Sequence, residues 1–186
     1  MADGLQALSL PELIDRCKSG EMAAFQLVYE QYCQAMYHTC LRIVNNQPDA
    51  EDVLQESFLA AFQSLKSLKD TRAFPGWLKK IVINQSITYV KKQQAIRLAH
   101  GPGQEFGYGE EMPDEESYLM KLDAVRSELD QLPANQRIVI SLHVFEDLSF
   151  EEIGKLLDMP SATARSHYAR GRLKISKKIN SLCHGG

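Results

Sequence analysis

The sequence predicts an all-α protein: two small helical domains joined by a flexible linker, the second carrying a helix-turn-helix. Three observations predict it. Apolar residues recur at three- and four-residue spacing nearly throughout, with no strand-like alternation longer than a few residues. One stretch, His100 to Pro113, breaks that pattern by gathering Gly101, Gly103, Gly107 and Gly109 with Pro102 and Pro113. Beyond it, two short helical patterns flank a tight interruption at Asp158-Met159-Pro160-Ser161.

The elements follow in order. Ser9 and Glu12 form a capping box, and Gly20 closes the short helix that they open. Met22, Phe25, Tyr29, Tyr32, Met36, Cys40 and Ile43 then mark the inner face of one long helix, which Asn45 and Asn46 stop. Pro48 fits the first turn of the next helix, with Asp49, Glu51 and Asp52 near its positive dipole end. Ala50, Val53, Leu54, Ser57, Phe58, Ala61, Phe62 and Leu65 line its inner face. Lys66 to Phe74 has the composition of a loop. Pro75 reopens a helix that is expected to bury Leu78, Ile81, Val82, Gln85 and Tyr89.

The linker is expected to span residues 96–114, between domains at 1–95 and 115–186. After it, Leu119, Leu122, Val125 and Leu129 restart a helix, and Pro133 starts another that carries Ile138, Val139, Leu142 and Phe145. Ser149 and Glu152 form a second capping box ahead of Ile153, Leu156 and Leu157. Ser161 is placed to cap the last helix, whose inner face is Ala164, Tyr168, Gly171, Ile175 and Ile179. The small residues Ala164 and Gly171 allow close packing on the preceding helices.

Charge is distributed in blocks. The net charge is −3, yet residues 66–97 carry eight basic and one acidic side chain. Residues 98–131 carry two basic and nine acidic, and residues 148–186 carry seven basic and three acidic. Two basic blocks around an acidic one suit two polyanion-facing surfaces. The first ten residues lack the basic and apolar regions of a secretory signal, and no apolar run approaches the ~20 residues of a membrane span. A cytoplasmic location without membrane insertion is expected. Cys17, Cys33, Cys40 and Cys183 have no metal or redox spacing. His38, His100, His143, His167 and His184 are scattered, and none lies near a patterned carboxylate or nucleophile. No catalytic site, metal or cofactor is expected.

The last helix presents Thr163, Ser166 and Arg170 on one face, flanked by Arg165 and Arg172. Hydroxyls and guanidiniums near the start of a recognition helix suit base edges and phosphates. In the first domain, Asp52, Gln55, Glu56 and Leu59 lie opposite Val53, Phe58 and Phe62. This acidic face with an embedded leucine suits a basic partner helix. Further on, Lys66, Lys69, Arg72, Lys79 and Lys80 make a funnel for a nucleic-acid backbone, and Phe74 and Trp77 offer either stacking platforms or core aromatics. Asn84 is polar on the basic side of the same helix.

Two blocks of the chain resemble the extracytoplasmic-function sigma factors of bacterial RNA polymerase. The first holds Asp49-Ala50-Glu51-Asp52-Val53-Leu54-Gln55-Glu56-Ser57-Phe58, then Arg72-Ala73-Phe74-Pro75-Gly76-Trp77-Leu78-Lys79-Lys80-Ile81 with Asn84. The second holds Leu129-Asp130-Gln131-Leu132-Pro133, Leu148-Ser149-Phe150-Glu151-Glu152-Ile153-Gly154, Ser161-Ala162-Thr163-Ala164-Arg165-Ser166 and Arg170-Gly171-Arg172. His167 stands where the family often has Arg, Tyr168 where it often has Leu, and Lys91-Lys92 where it often has an Arg pair.

The resemblance implies an alternative sigma factor, binding core RNA polymerase and promoter DNA. It gives core binding to Asp49, Asp52, Gln55, Glu56 and Leu59. It gives minus-ten recognition and melting to Lys66, Arg72, Phe74, Trp77, Lys80 and Asn84. It gives minus-thirty-five recognition to Ser161, Thr163, Arg165, Ser166, Arg170 and Arg172. An anti-sigma factor is a further partner that the family implies and that no residue here identifies. Two other readings compete on the residues alone. One is an ordinary helix-turn-helix regulator whose first domain senses a ligand or dimerises. The other is a helical adaptor or enzyme whose basic faces bind protein or phosphorylated ligands.

Overall fold

The computed structural model describes residues 8–100 and 127–183, and every regular element among them is helical. The chain divides into two compact units, Met1–Pro102 and Gly103–Gly186. Most of the glycine-rich segment, with Leu119, Leu122 and Val125, lies outside the described residues.

In the first unit, helix α1 (Leu10–Lys18) is followed by α2 (Met22–Val44) and α3 (Gln47–Ser64). Two 3-10 turns (Leu65–Ser67 and Thr71–Ala73) lead into α4 (Phe74–His100). Local chemistry sets most of these boundaries. The backbone N–H and hydroxyl of Ser9 both donate to the Glu12 carboxylate, at 2.9 and 2.6 Å, which holds the Glu12 carboxyl below its usual range. Gly20 has a φ of +90°, a backbone state that favours glycine, where the chain leaves α1. Asn45 ends α2 in the left-handed region, and the Asn46 side chain accepts from the Asp49 N–H at 3.1 Å to cap α3.

The core of this unit is made by Leu13, Ile14 and Cys17 of α1, Val28, Met36, Cys40 and Ile43 of α2, Val53, Leu54 and Phe58 of α3, and Phe74, Leu78 and Val82 of α4. The inner faces of α2 and α4 differ from expectation. Met22 is 77% exposed and Tyr29 38%, while Ala24 and Val28 are buried, so the first half of α2 turns a different stripe inward. In α4 the buried positions are Leu78, Val82, Ile83, Ser86, Ile87 and Val90, and Ile81, Gln85 and Tyr89 are only half-buried. Ser86 enters the core because its hydroxyl donates to the Val82 carbonyl at 2.8 Å, leaving no unpaired polar group. The segment before Pro75 is two 3-10 turns rather than an open loop, and α4 starts at Phe74 and continues through His100, beyond the expected end of the domain.

In the second unit, residues 127–130 are helical, α5 spans Ala134–Val144, α6 Phe150–Leu157 and α7 Ser161–Cys183. Leu132, Ile138, Val139, Leu142, Ile153 and Ala164 form its core. Phe145, expected to face inward, is 46% exposed, because the chain has left α5 at Val144 and turned toward α6. The Ser149–Glu152 capping box is present, with the Ser149 hydroxyl accepting from the Glu152 N–H at 3.2 Å. Pro160, not Ser161, caps α7: its carbonyl accepts from the Ala164 N–H at 3.1 Å, so Ser161 is the first helical residue.

Two glycines make the helix-turn-helix compact. A Cβ on Gly154 would come within 2.7 Å of the Met159 carbonyl oxygen, and one on Gly171 within 2.5 Å of Ile140 Cδ1. The first lets the turn fold over α6. The second lets α7 lie directly on α5, as the small residue at that position predicts.

Candidate nucleic-acid interface

Asp52, Gln55, Glu56 and Leu59 are all exposed on the outer face of α3, with Leu59 59% exposed. Their i, i+3, i+4 spacing puts them on one stripe, opposite the buried Val53, Leu54, Ser57 and Phe58. Asp49 is half-buried at the start of the helix and bonds to the Tyr89 hydroxyl of α4. Gln93 donates to the same hydroxyl at 2.9 Å. Asp49 therefore joins α3 to α4, while Asp52, Gln55, Glu56 and Leu59 remain turned outward.

The basic segment runs from the 3-10 turns into α4. Lys66 is exposed on the first turn. Arg72 is exposed on the second, where Nε and a terminal nitrogen donate to the two Asp70 oxygens at 3.0 and 3.2 Å. This pairing lowers the Asp70 pKa and raises that of Arg72. Trp77, Lys80 and Asn84 lie at three- and four-residue spacing on α4; Trp77 is half-buried, and Lys80 and Asn84 are exposed. Phe74 must be corrected. It has no exposed surface, its ring meets Tyr32 edge-on at 5.5 Å and lies 6.1 Å from Trp77. A base cannot stack on a ring buried on all sides, so Phe74 is a core residue.

On α7, Ser161, Thr163 and Ser166 are half-buried, and Arg165, Arg170 and Arg172 are exposed. The Ser166 hydroxyl donates to the Ala162 carbonyl at 3.0 Å, which leaves its lone pairs facing outward as acceptors. Arg165 donates to the Glu151 carboxylate of α6 at 2.5 Å, and its guanidinium carbon sits 5.6 Å from the centre of the Phe150 ring. Phe150 is itself stacked on His143 at 4.3 Å and meets Tyr168 edge-on at 5.5 Å. Burial, with Arg170 adjacent, holds the His167 imidazole below its usual range. At neutral pH the exposed cations on the outer face of this half of α7 are thus arginines.

Sequence reasoning missed the residues that hold these groups in place: Asp70 beside Arg72, Glu151 beside Arg165, and Lys18, whose ammonium donates to the Leu68 carbonyl at 2.8 Å. The Asx-type spacing of Asp70 and Arg72 was available as a local signal. The other two contacts join residues 14 and 50 positions apart and had none. Among the described residues no group of three His, Cys, Asp or Glu side chains could hold a metal ion, and no helix is long and apolar enough to cross a membrane.

Residues 28–96 match the family described as Sigma-70 region 2, and residues 122–175 that described as Sigma-70, region 4. The chain is 26% identical over 185 residues to the ECF RNA polymerase sigma factor SigW of Bacillus subtilis, covering 94% of this chain and 99% of that one. The chain belongs to the extracytoplasmic-function sigma factors. Further relatives include the RNA polymerase sigma-H factor of Pseudomonas aeruginosa, 29% identical with 92% and 94% of the two chains covered. The ECF sigma-E factor of Haemophilus influenzae is also 29% identical, with 91% and 95% covered.

Solved structures agree on the fold. The sigma factor RpoE, in complex with the anti-sigma factor NepR from Bartonella quintana, superposes with a TM-score of 0.61 at 19% identity, covering 84% of this chain and 96% of that one. CnrH, in complex with the cytosolic domain of CnrY, gives a TM-score of 0.54 at 22% identity, covering 92% and 97%. As a sigma factor, the protein acts in promoter recognition and transcription initiation.

Proposed function

We propose that the two units divide the work of initiation by surface. The outer face of α3, from Asp52 to Leu59, docks on core RNA polymerase. The 3-10 turns and the outer face of α4, with Lys66, Arg72, Trp77, Lys80 and Asn84, engage and open the minus-ten element. The start of α7, with Ser161, Thr163, Arg165, Ser166, Arg170 and Arg172, reads the minus-thirty-five element. The segment at 96–114 connects a polymerase-binding domain at 1–95 to a DNA-reading domain at 115–186. The protein itself catalyses nothing and acts in the cytoplasm. An anti-sigma factor is a fitting partner, since the relative RpoE was solved with one.

The observation that carries the docking assignment is Leu59, 59% exposed at the end of the stripe that Asp52, Gln55 and Glu56 begin. A leucine left in water on a folded domain forgoes part of the ~1.5–3 kcal/mol that its burial contributes. An apolar anchor next to the carboxylates of Asp52 and Glu56 suits a basic helix better than DNA, whose phosphates the same carboxylates repel. The basic funnel lies on the turns and α4, so polymerase and DNA meet different surfaces of one unit.

The test is charge reversal. Asp52→Arg combined with Glu56→Arg alters two exposed side chains and leaves the core of α3 intact. Like charge against a basic partner costs several kcal/mol. The variant is expected to keep its thermal midpoint, to lose association with core polymerase, and to support no promoter-dependent transcription. Core binding at the parental affinity would overturn the assignment of this face.

A further inference from the structure

The turns that lead into α4 are held from behind by a residue that the interface does not use. Leu68 lies between them and is fixed at three points. Its side chain is buried, 7% exposed, and its N–H donates to the Leu65 carbonyl at 3.1 Å. Its carbonyl accepts from the Lys18 ammonium at 2.8 Å, a part-buried contact across 50 residues of sequence. Lys18 is the last residue of α1 and its side chain is only 24% exposed, although a lysine normally keeps its ammonium in water. Asp15 lies one turn back, 3.8 Å from the same ammonium. The rest of α1 is anchored by Leu13, Ile14 and Cys17, each 5% exposed or less. Lys18 precedes the residues that match the region 2 family, 28–96.

We propose that Lys18 is a positioning residue for strand opening. Its ammonium fixes the Leu68 carbonyl, and through it the backbone that presents Lys66 before Leu68 and Lys69 and the Asp70–Arg72 pair after it. A charged donor on a partly desolvated carbonyl is a stronger tie than a neutral hydrogen bond. A cationic turn held rigid does not have to be ordered when it meets the separating strand, so the ordering cost is met in folding rather than in opening. Lys18 itself touches no DNA in this scheme. The inference rests on the reading that the turns and α4 engage the minus-ten element.

The experiment uses the full chain with core polymerase and compares open-complex formation, followed by permanganate reactivity of unpaired thymines, on a duplex promoter and on the same promoter with a premelted bubble. Lys18→Met keeps the apolar stem and removes the ammonium. Lys18→Arg restores a cationic donor. Asn84→Ala, on the outer face of α4, reports on the minus-ten reading alone. Lys18→Met is expected to slow opening of the duplex by about three- to tenfold, less than the full effect of one charge-assisted hydrogen bond because the turns keep their other anchors. The bubble is expected to remove most of that defect, Lys18→Arg to restore most of the rate, and core affinity and thermal midpoint to stay near parental values. If Asn84→Ala slows opening and Lys18→Met does not, the positioning role is overturned while the minus-ten reading stands. If neither variant slows opening, both fall. An equal defect of Lys18→Met on duplex and bubble, or one accompanied by loss of core binding, also overturns the proposal, because it would mark Lys18 as a support of the fold.

Discussion

Single residues in this molecule separate into those buried in the fold and those left exposed for a partner to meet, and Phe74 and Asn84 mark the difference. They stand ten positions apart on one helix. Phe74 is wholly buried against Tyr32 and Trp77, whereas Asn84 is exposed. Phe74→Ala removes a buried ring and leaves a cavity, for which a cost of about 3–5 kcal/mol is expected. Urea denaturation is therefore expected to show a large loss of stability in the first unit, with core binding and opening declining together. A variant of normal stability that failed only in opening would return the ring to the interface. The arginines divide similarly. Arg165 and Arg72 are each held by a neighbouring carboxylate, so each offers an oriented guanidinium rather than a free-swinging charge. Both pairs are exposed, and their value lies in geometry more than in stability.

At the scale of elements, the junction of α3 and α4 makes a prediction about pH. The Tyr89 hydroxyl, bonded to Asp49 and Gln93, has its pKa pushed up from 10 to about 12, first by burial and then by the Asp49 carboxylate. The folded chain holds this proton more tightly than an unfolded chain does. The stabilisation is complete below pH 10 and is lost as the pH rises toward 12. Cys17 and Cys40, both raised by burial from 9 to about 11, act in the same direction at somewhat lower pH. Tyr89→Phe is expected to lower the thermal midpoint near neutrality and to flatten its decline between pH 10 and 12 relative to the parent. Parallel declines in the two proteins would mean that Tyr89 does not sense the fold.

The same elements explain what the sequence made legible. Capping boxes, the Asn45–Asn46 break and the Gly20 turn depend on residues within four positions of each other, so they could be read directly. The close approach at Gly171 could be read because only a small residue suits such packing. The inward stripe of α4 could not. Ile81 and Ile83 are equally apolar, and Ser86 looks polar until its hydroxyl is seen bonded to the preceding turn. Phe145 and Met22 sit at helix ends, where an apolar residue has no obligation to be buried. Exposed charges were legible as charges; the partners that orient Arg165, Arg72 and the Leu68 carbonyl depend mostly on how distant segments meet.

At the scale of the whole chain, two small units each offer few DNA contacts, and residues 98–131 place nine acidic side chains between two basic blocks. An acidic segment tethered to both blocks would compete with external DNA at high effective concentration if the blocks are the proposed DNA surfaces. A free sigma factor also has little energy with which to separate the strands that the minus-ten surface requires. On the proposed assignment of surfaces, docking the α3 face on the polymerase would fix the first unit, draw the acidic segment away from the DNA-facing surfaces and set the spacing of the two readers. Free protein should then be a weak and nearly indiscriminate duplex binder, and polymerase should make it specific.

The most direct measurement is a pair of binding titrations on one promoter duplex, selected by transcription from a random library and run at one stated salt concentration. The full-length protein is titrated alone and then with core polymerase. Weak binding by the free protein is expected, with little difference between promoter and scrambled duplex, and tight promoter-selective binding once core polymerase is present. Sequence-specific binding by the free protein in the nanomolar range typical of autonomous DNA readers, unchanged by polymerase, would contradict that expectation.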